Sequence, residues 1–132
     1  MTCIKKACII INMNRKIVFF ALFCALTVCF APRNSFAYIE KDAAILRVMN
    51  KAAGKTQIIS AKKDKDVRVE GLTIKVRNCK QSDPFDAENY FAFVEIYTKS
   101  EQRIFSGWMN RNEPGQNPLQ DDAYDVWLEK CE

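Results

Sequence analysis

Apolar and polar positions alternate along much of the second half of the chain, and the alternation predicts strands. In LTIKVRNC (72–79), Leu72, Ile74 and Val76 fall on one side, with Thr73, Lys75 and Arg77 opposite, as in a half-buried strand. YFAFVEIYT (90–98) is apolar on both faces apart from Glu95 and reads as a central strand. RIFSGWM (103–109) follows after the short polar turn KSEQ, which predicts a hairpin. YDVWLEKC (124–131) alternates again, Tyr124, Val126 and Leu128 against Asp125, Trp127 and Glu129. Six or seven short strands of this kind, with turns at fairly regular spacing, imply an all-β fold, a small antiparallel sandwich or barrel.

One segment reads two ways. In DAAILRVMNKAAGK (42–55), Asp42 suits a helix cap, Ile45, Val48, Met49 and Ala52 follow helical spacing, and Gly54 suits a helix stop. The same residues, with TQIIS (56–60) after them, also read as a hairpin turning on KAAGK.

Parity along the strands places particular side chains. With no bulge, Cys79 shares a face with Arg77, and Cys131 shares one with Trp127. Both cysteines then point away from the aliphatic side, and a bond between them ties strands across an outer face or at a strand end. Trp108 has the parity of Ile104 and is expected in the core, whereas Trp127, among Asp125 and Glu129, is the ring expected outside. A wall of Trp108, Tyr124 and Trp127 beside Asp125 would suit stacking on sugars or anchoring a protein partner.

The charge balance changes meaning with position. The chain carries 20 Lys+Arg against 16 Asp+Glu, a formal +4. Lys5, Lys6, Arg15, Lys16 and Arg33 all precede Tyr38, where no acid occurs, so removing five from 20 leaves 15 basic against 16 acidic residues beyond that point. A domain near net −1, with interleaved charges as in AKKDKDVRVE, is not a nucleic-acid binder.

The first 37 residues carry the pattern of an export signal. MNRK (13–16) is a positive head, IVFFALFCALTVCFA (17–31) an apolar run of 15 residues, and Ser35 and Ala37 are small at −3 and −1 of a cleavage site after Ala37. The run is shorter than the roughly 20 residues of a spanning helix, which favours cleavage over a retained anchor. Residues 1–12 fit the pattern poorly, so Met13 is a second candidate start. The expected organisation is a signal peptide over 1–37 and one exported, periplasmic β domain over 38–132, with no membrane span after cleavage. Four of the six cysteines lie in the removed segment, and the simplest reading of Cys79 and Cys131 is one disulfide. A redox pair or a two-thiolate metal site is the alternative, but neither cysteine sits in a C-x-x-C.

No histidine is present, which removes His-activated nucleophiles and the commonest zinc ligands, and no glycine-rich phosphate loop occurs. No catalytic residue, metal ligand or cofactor is assigned. The carboxylates Glu113, Asp121, Asp122 and Asp125 leave one enzymatic alternative, a hydrolase of an envelope glycan using Glu113 or Asp121 with Asp125. It requires a cleft holding two carboxyls within about 5–10 Å. The segment 110–123 has no strand pattern, and loops of that length are either functional or disordered.

IFSGWM (104–109) followed by YDVWLEKC (124–131) resembles domain of unknown function family 2155, small exported proteins of alphaproteobacteria. LRVMNKAAGKT (46–56) is similar to that family's opening strand and turn, GLTIKVRNC (71–79) to its middle strand ending in the first cysteine, and FAFVEI (91–96) to its central strand. NRNEPGQNPLQDDA (110–123) departs from it in being more polar. The resemblance covers roughly 44–131. It implies an exported, disulfide-bonded domain, tips residues 42–55 toward the hairpin, and implies no activity. The expected function is a non-enzymatic binding or structural module of the cell envelope, its partner a protein or glycan and its surface Trp127, Asp125, Trp108 and Tyr124.

Overall fold

The structure is a computed structural model that describes residues 37–132. The segment read as an export signal therefore lies, apart from Ala37, outside the described residues. Eight strands follow in order: β1 (Ile39–Lys41), β2 (Ala43–Asn50), β3 (Lys55–Lys62), β4 (Asp66–Val69), β5 (Leu72–Gln81), β6 (Tyr90–Tyr97), β7 (Arg103–Asn110) and β8 (Tyr124–Cys131). They form two antiparallel sheets, one ordered β1-β5-β6-β7 with β4 also on β5, the other β3-β2-β8.

The hairpin reading of residues 42–55 holds. Leu46 and Val48 alternate with Ile45, Arg47 and Met49 along β2, and both aliphatic side chains are fully buried. The turn is fixed by the Asn50 side-chain oxygen, which accepts from the amide of Ala53, and by Gly54 at φ +63. Helical periodicity loses because β2 is the middle strand of its sheet, bonded to β3 on one side and β8 on the other. Two short strands escaped the alternation pattern. β4 pairs its four residues with β5 through a two-residue turn, Glu70 at φ 49 and Gly71 at φ 87, as a tight hairpin demands. β1 pairs with the far half of β5, so β5 carries two partners on one edge.

The core is the space between the sheets. Leu46, Val48, Ala61, Val126 and Leu128 from one sheet meet Leu72, Ile74, Val76, Val94, Ile96, Phe105 and Met109 from the other. Three bulges break the parity that sequence alternation assumes. Arg77 in β5 is skipped between the pairs Val76–Val94 and Asn78–Phe93. Ile104 in β7 is skipped between Phe105–Ile96 and Arg103–Tyr97, and Glu129 in β8 between Leu128–Leu46 and Lys130–Ile45.

Each bulge reverses the facing of everything beyond it. Cys79 therefore joins the face of Val76, and Cys131 the face of Leu128, at 0% and 4% exposure. Their disulfide, with Cα atoms 5.7 Å apart, crosses the core from one sheet to the other. This corrects the expectation of a bond across an outer face. The bulge at Ile104 corrects the placement of Trp108. Beyond Ile104 the inward positions are Phe105, Gly107 and Met109, and Trp108 projects outward at 41% exposure.

Candidate functional site

The proposed wall of Trp108, Tyr124, Trp127 and Asp125 is not assembled. Trp108 stands on the outer face of the five-stranded sheet, whereas Trp127 and Asp125 lie on the outer face of the three-stranded one. Trp127 is half-buried and stands opposite Arg47, which pairs with Glu129 at 2.9 Å. Asp125 pairs with Lys51 at 3.3 Å. Tyr124 turns inward, packs against the core and donates its hydroxyl to the Glu70 carbonyl at 2.7 Å, clasping β8 to the β4–β5 turn.

The long β7–β8 segment is a plug. Leu119 is 5% exposed and completes the core, and the Asn117 side-chain amide donates to the Trp108 carbonyl at 3.1 Å. Asp121 accepts from the amides of Ala123 and Tyr124, and Lys51 donates to its carbonyl at 2.7 Å. The loop thus puts one side chain into the core and bonds to both flanking strands. Of the nearby carboxylates, Asp121 caps backbone and Asp125 of β8 pairs with Lys51, whereas Glu113 and Asp122 are exposed.

A different set of aromatics does come together. β6 faces outward with Phe91, Phe93, Glu95 and Tyr97. Cross-strand pairing puts Trp108 on one side of Phe93 and Asn78 on the other, and puts Asn110 and Lys80 on the two sides of Phe91. Trp108 meets Phe93 edge-on, with centroids 5.6 Å apart and planes at 80°. Tyr38, 45% exposed just before β1, meets Phe91 at 5.8 Å and 85°. Both geometries suit the aromatic quadrupole. The Lys80 ammonium lies 4.0 Å from the Tyr38 ring centroid and 4.6 Å from that of Trp108. No sequence motif marks this cluster. Cross-strand register alone makes it, and the signal available was the outward parity of Phe91 and Phe93 on β6.

The two ends of this face differ in charge. Toward the β4 end, Arg77 bonds Glu95 at 3.0 Å and Asp64 at 3.1 Å, and Lys75 pairs with Asp66 at 3.3 Å. The hydrogen bond that Arg77 donates to Asp64, then the one it donates to Glu95, hold the guanidinium above its ordinary pKa. At the aromatic end, none of the ion pairs among the described residues includes Lys80. Glu40 stands opposite it on β1 but outside ion-pair distance. The Asn78 side-chain oxygen is buried without a hydrogen-bond partner.

Three clefts flank the sheet. One of about 260 Å³ lies between Tyr38 and the β5–β6 loop, bounded by Phe91, Asp83 and Asp86. Another of about 470 Å³, at the β4–β5 turn, is bounded by Arg68, Glu70, Lys99 and Glu101. A third of about 320 Å³ lies among Asp66, Lys75, Tyr97 and Glu101. None of the three is lined by Glu113, Asp121 or Asp125. The family model described as "Uncharacterized protein conserved in bacteria (DUF2155)" matches residues 44–131. No curated protein and no solved structure matches the chain.

Proposed function

We propose, for a chain that belongs to the DUF2155 family of uncharacterised bacterial proteins, that it is a non-enzymatic periplasmic module holding a component of the cell envelope on the aromatic face of its five-stranded sheet. The observation that carries this reading is the pair of exposed rings, Tyr38 and Trp108, each braced by a phenylalanine beneath it. Large rings fixed in place before binding lose little conformational freedom when a ligand stacks on them. Export is supported by the head, apolar run and small residues of positions 13–37, and by a disulfide that suits an oxidising compartment. The second reading, a carboxylate-only hydrolase of an envelope glycan, has less support, because Asp121 caps backbone amides and Asp125 pairs with Lys51.

The test is retention of the processed protein on an isolated envelope fraction. Trp108→Ala should abolish retention while leaving the melting temperature close to that of the parent. Trp127→Ala, on the opposite sheet, should retain binding. If Trp108→Ala is retained as well as the parent, this face is not the binding surface.

A further inference from the structure

We infer that the aromatic face takes a carboxylate-bearing glycan, with Lys80 as the anchor for the acid and Trp108 as the stacking platform. The inference rests on the binding-module reading and adds the chemistry of the ligand. Three observations lead to it.

First, Lys80, Phe91 and Phe93 stand on β5 and β6, whose backbones are paired on both sides, while Trp108 stands on the edge strand β7. Over β5 and β6 no main-chain donors or acceptors are free to add a strand, so recognition on the face itself uses side chains. What the side chains offer is ring faces, the Asn110 amide beside them, and one ammonium. Sugars match that set, since their C–H faces stack on aromatic rings and their hydroxyls bond amides.

Second, at the aromatic end of this face the cation among the rings, Lys80, is left without an ion pair, although Glu40 stands across from it on β1. Lys75, Arg77 and Arg111 each have an acid within ion-pair distance. Lys80 has rings on two sides and no carboxylate in an ion pair. Rings attract a cation without using its hydrogen-bond donors, so Lys80 keeps donors for an incoming anion. A carboxylate suits that vacancy better than a neutral hydroxyl, because a charge-assisted bond is roughly twice as strong.

Third, the anchor is already in position. Lysine side chains ordinarily lose rotamer freedom on binding, and here the two rings hold the stem over β6 before any ligand arrives.

The experiment expresses the whole chain with its export segment and purifies the processed, oxidised product carrying Trp127→Phe, so that Trp108 alone reports by fluorescence. Titrants are oligogalacturonate, alginate and hyaluronan oligomers, a fully methyl-esterified oligogalacturonate, and a hexaglutamate peptide. At least one uronate oligomer should shift Trp108 emission and bind about tenfold or more tighter than the esterified chain, the ratio expected for one charge-assisted bond. Lys80→Gln should erase that preference while residual stacking persists, and raised salt should weaken only the charged ligand. Equal affinity for acid and ester overturns the anionic anchor. Tighter binding of hexaglutamate than of every uronate overturns the glycan in favour of an acidic peptide. If no uronate binds but Trp108→Ala still loses the envelope, the ligand assignment falls and the binding face stands. If Trp108→Ala keeps the envelope, both fall.

Discussion

Gly107 and Asn117 carry more of the candidate site than their size suggests. A Cβ on Gly107 would come within 2.5 Å of the Asn117 side-chain nitrogen, the same atom that donates to the Trp108 carbonyl. The hydrogen has been traded for a bond that fixes the strand just where Trp108 projects. Gly107→Ala and Asn117→Ala should each lower stability by about 1 kcal/mol, the value of one such bond, and the double variant should cost little more than either single. Chemical denaturation of the four proteins checks this, and simple additivity would show that the two residues act separately. Acrylamide quenching tests the placement of the rings. With Trp127→Phe the remaining Trp108 should quench readily, and with Trp108→Phe the half-buried Trp127 should quench less. Alternation along β7 gave the opposite order, because parity counted from Ile104 starts on a bulged residue. Nothing in the composition of RIFSGWM marks Ile104 as the extra one; its partner strand does.

At the scale of elements, the strands were legible and their offsets were not. β5, β6, β7 and β8 follow from alternation or from an apolar run, within a residue or two at the ends, whereas the β2 segment reads equally as a helix and its hairpin with β3 follows only with the family resemblance. Missing were the bulges, which depend on which residue of a neighbouring strand accepts each amide, and that choice is long-range. The cysteines record the difference. With Arg77 and Glu129 as extra residues both sulfurs point into the core, and without them both would point out. Deleting Arg77 should therefore return Cys79 to the outer face and leave two titratable thiols under native, oxidising conditions. Arg77→Ala keeps the residue count and should keep the disulfide despite losing the contacts to Asp64 and Glu95. A thiol assay on the two proteins decides it: an intact bond in the deletion would mean that the strand slips to re-form the bulge elsewhere. The site failed to appear in the sequence for a related reason. Tyr38, Lys80, Phe91, Phe93 and Trp108 come from four separate stretches, and only register brings them together.

For the molecule as a whole, the disulfide is a link between layers. Cys79 and Cys131 are 52 positions apart, and closing a loop of that length contributes about 4 kcal/mol through the unfolded chain. Against the roughly 5–15 kcal/mol typical of a folded domain, that is a large share. Replacing both cysteines by alanine should lower the melting temperature by roughly 15–30 °C, measured by circular dichroism. A fall of only a few degrees would mean that packing between the sheets suffices alone. The pairing of β8 with β2 has a second consequence, one of timing. A chain leaves the ribosome from its beginning, so β2 is delivered early, with Leu46 and Val48 ready to be covered. The strand that completes its sheet, and the sulfur that staples that sheet to the other, both arrive last of the eight. Until then the half-built sandwich leaves its adhesive interior open, and the interval before closure, rather than the finished fold, is when unwanted contacts are easiest to make.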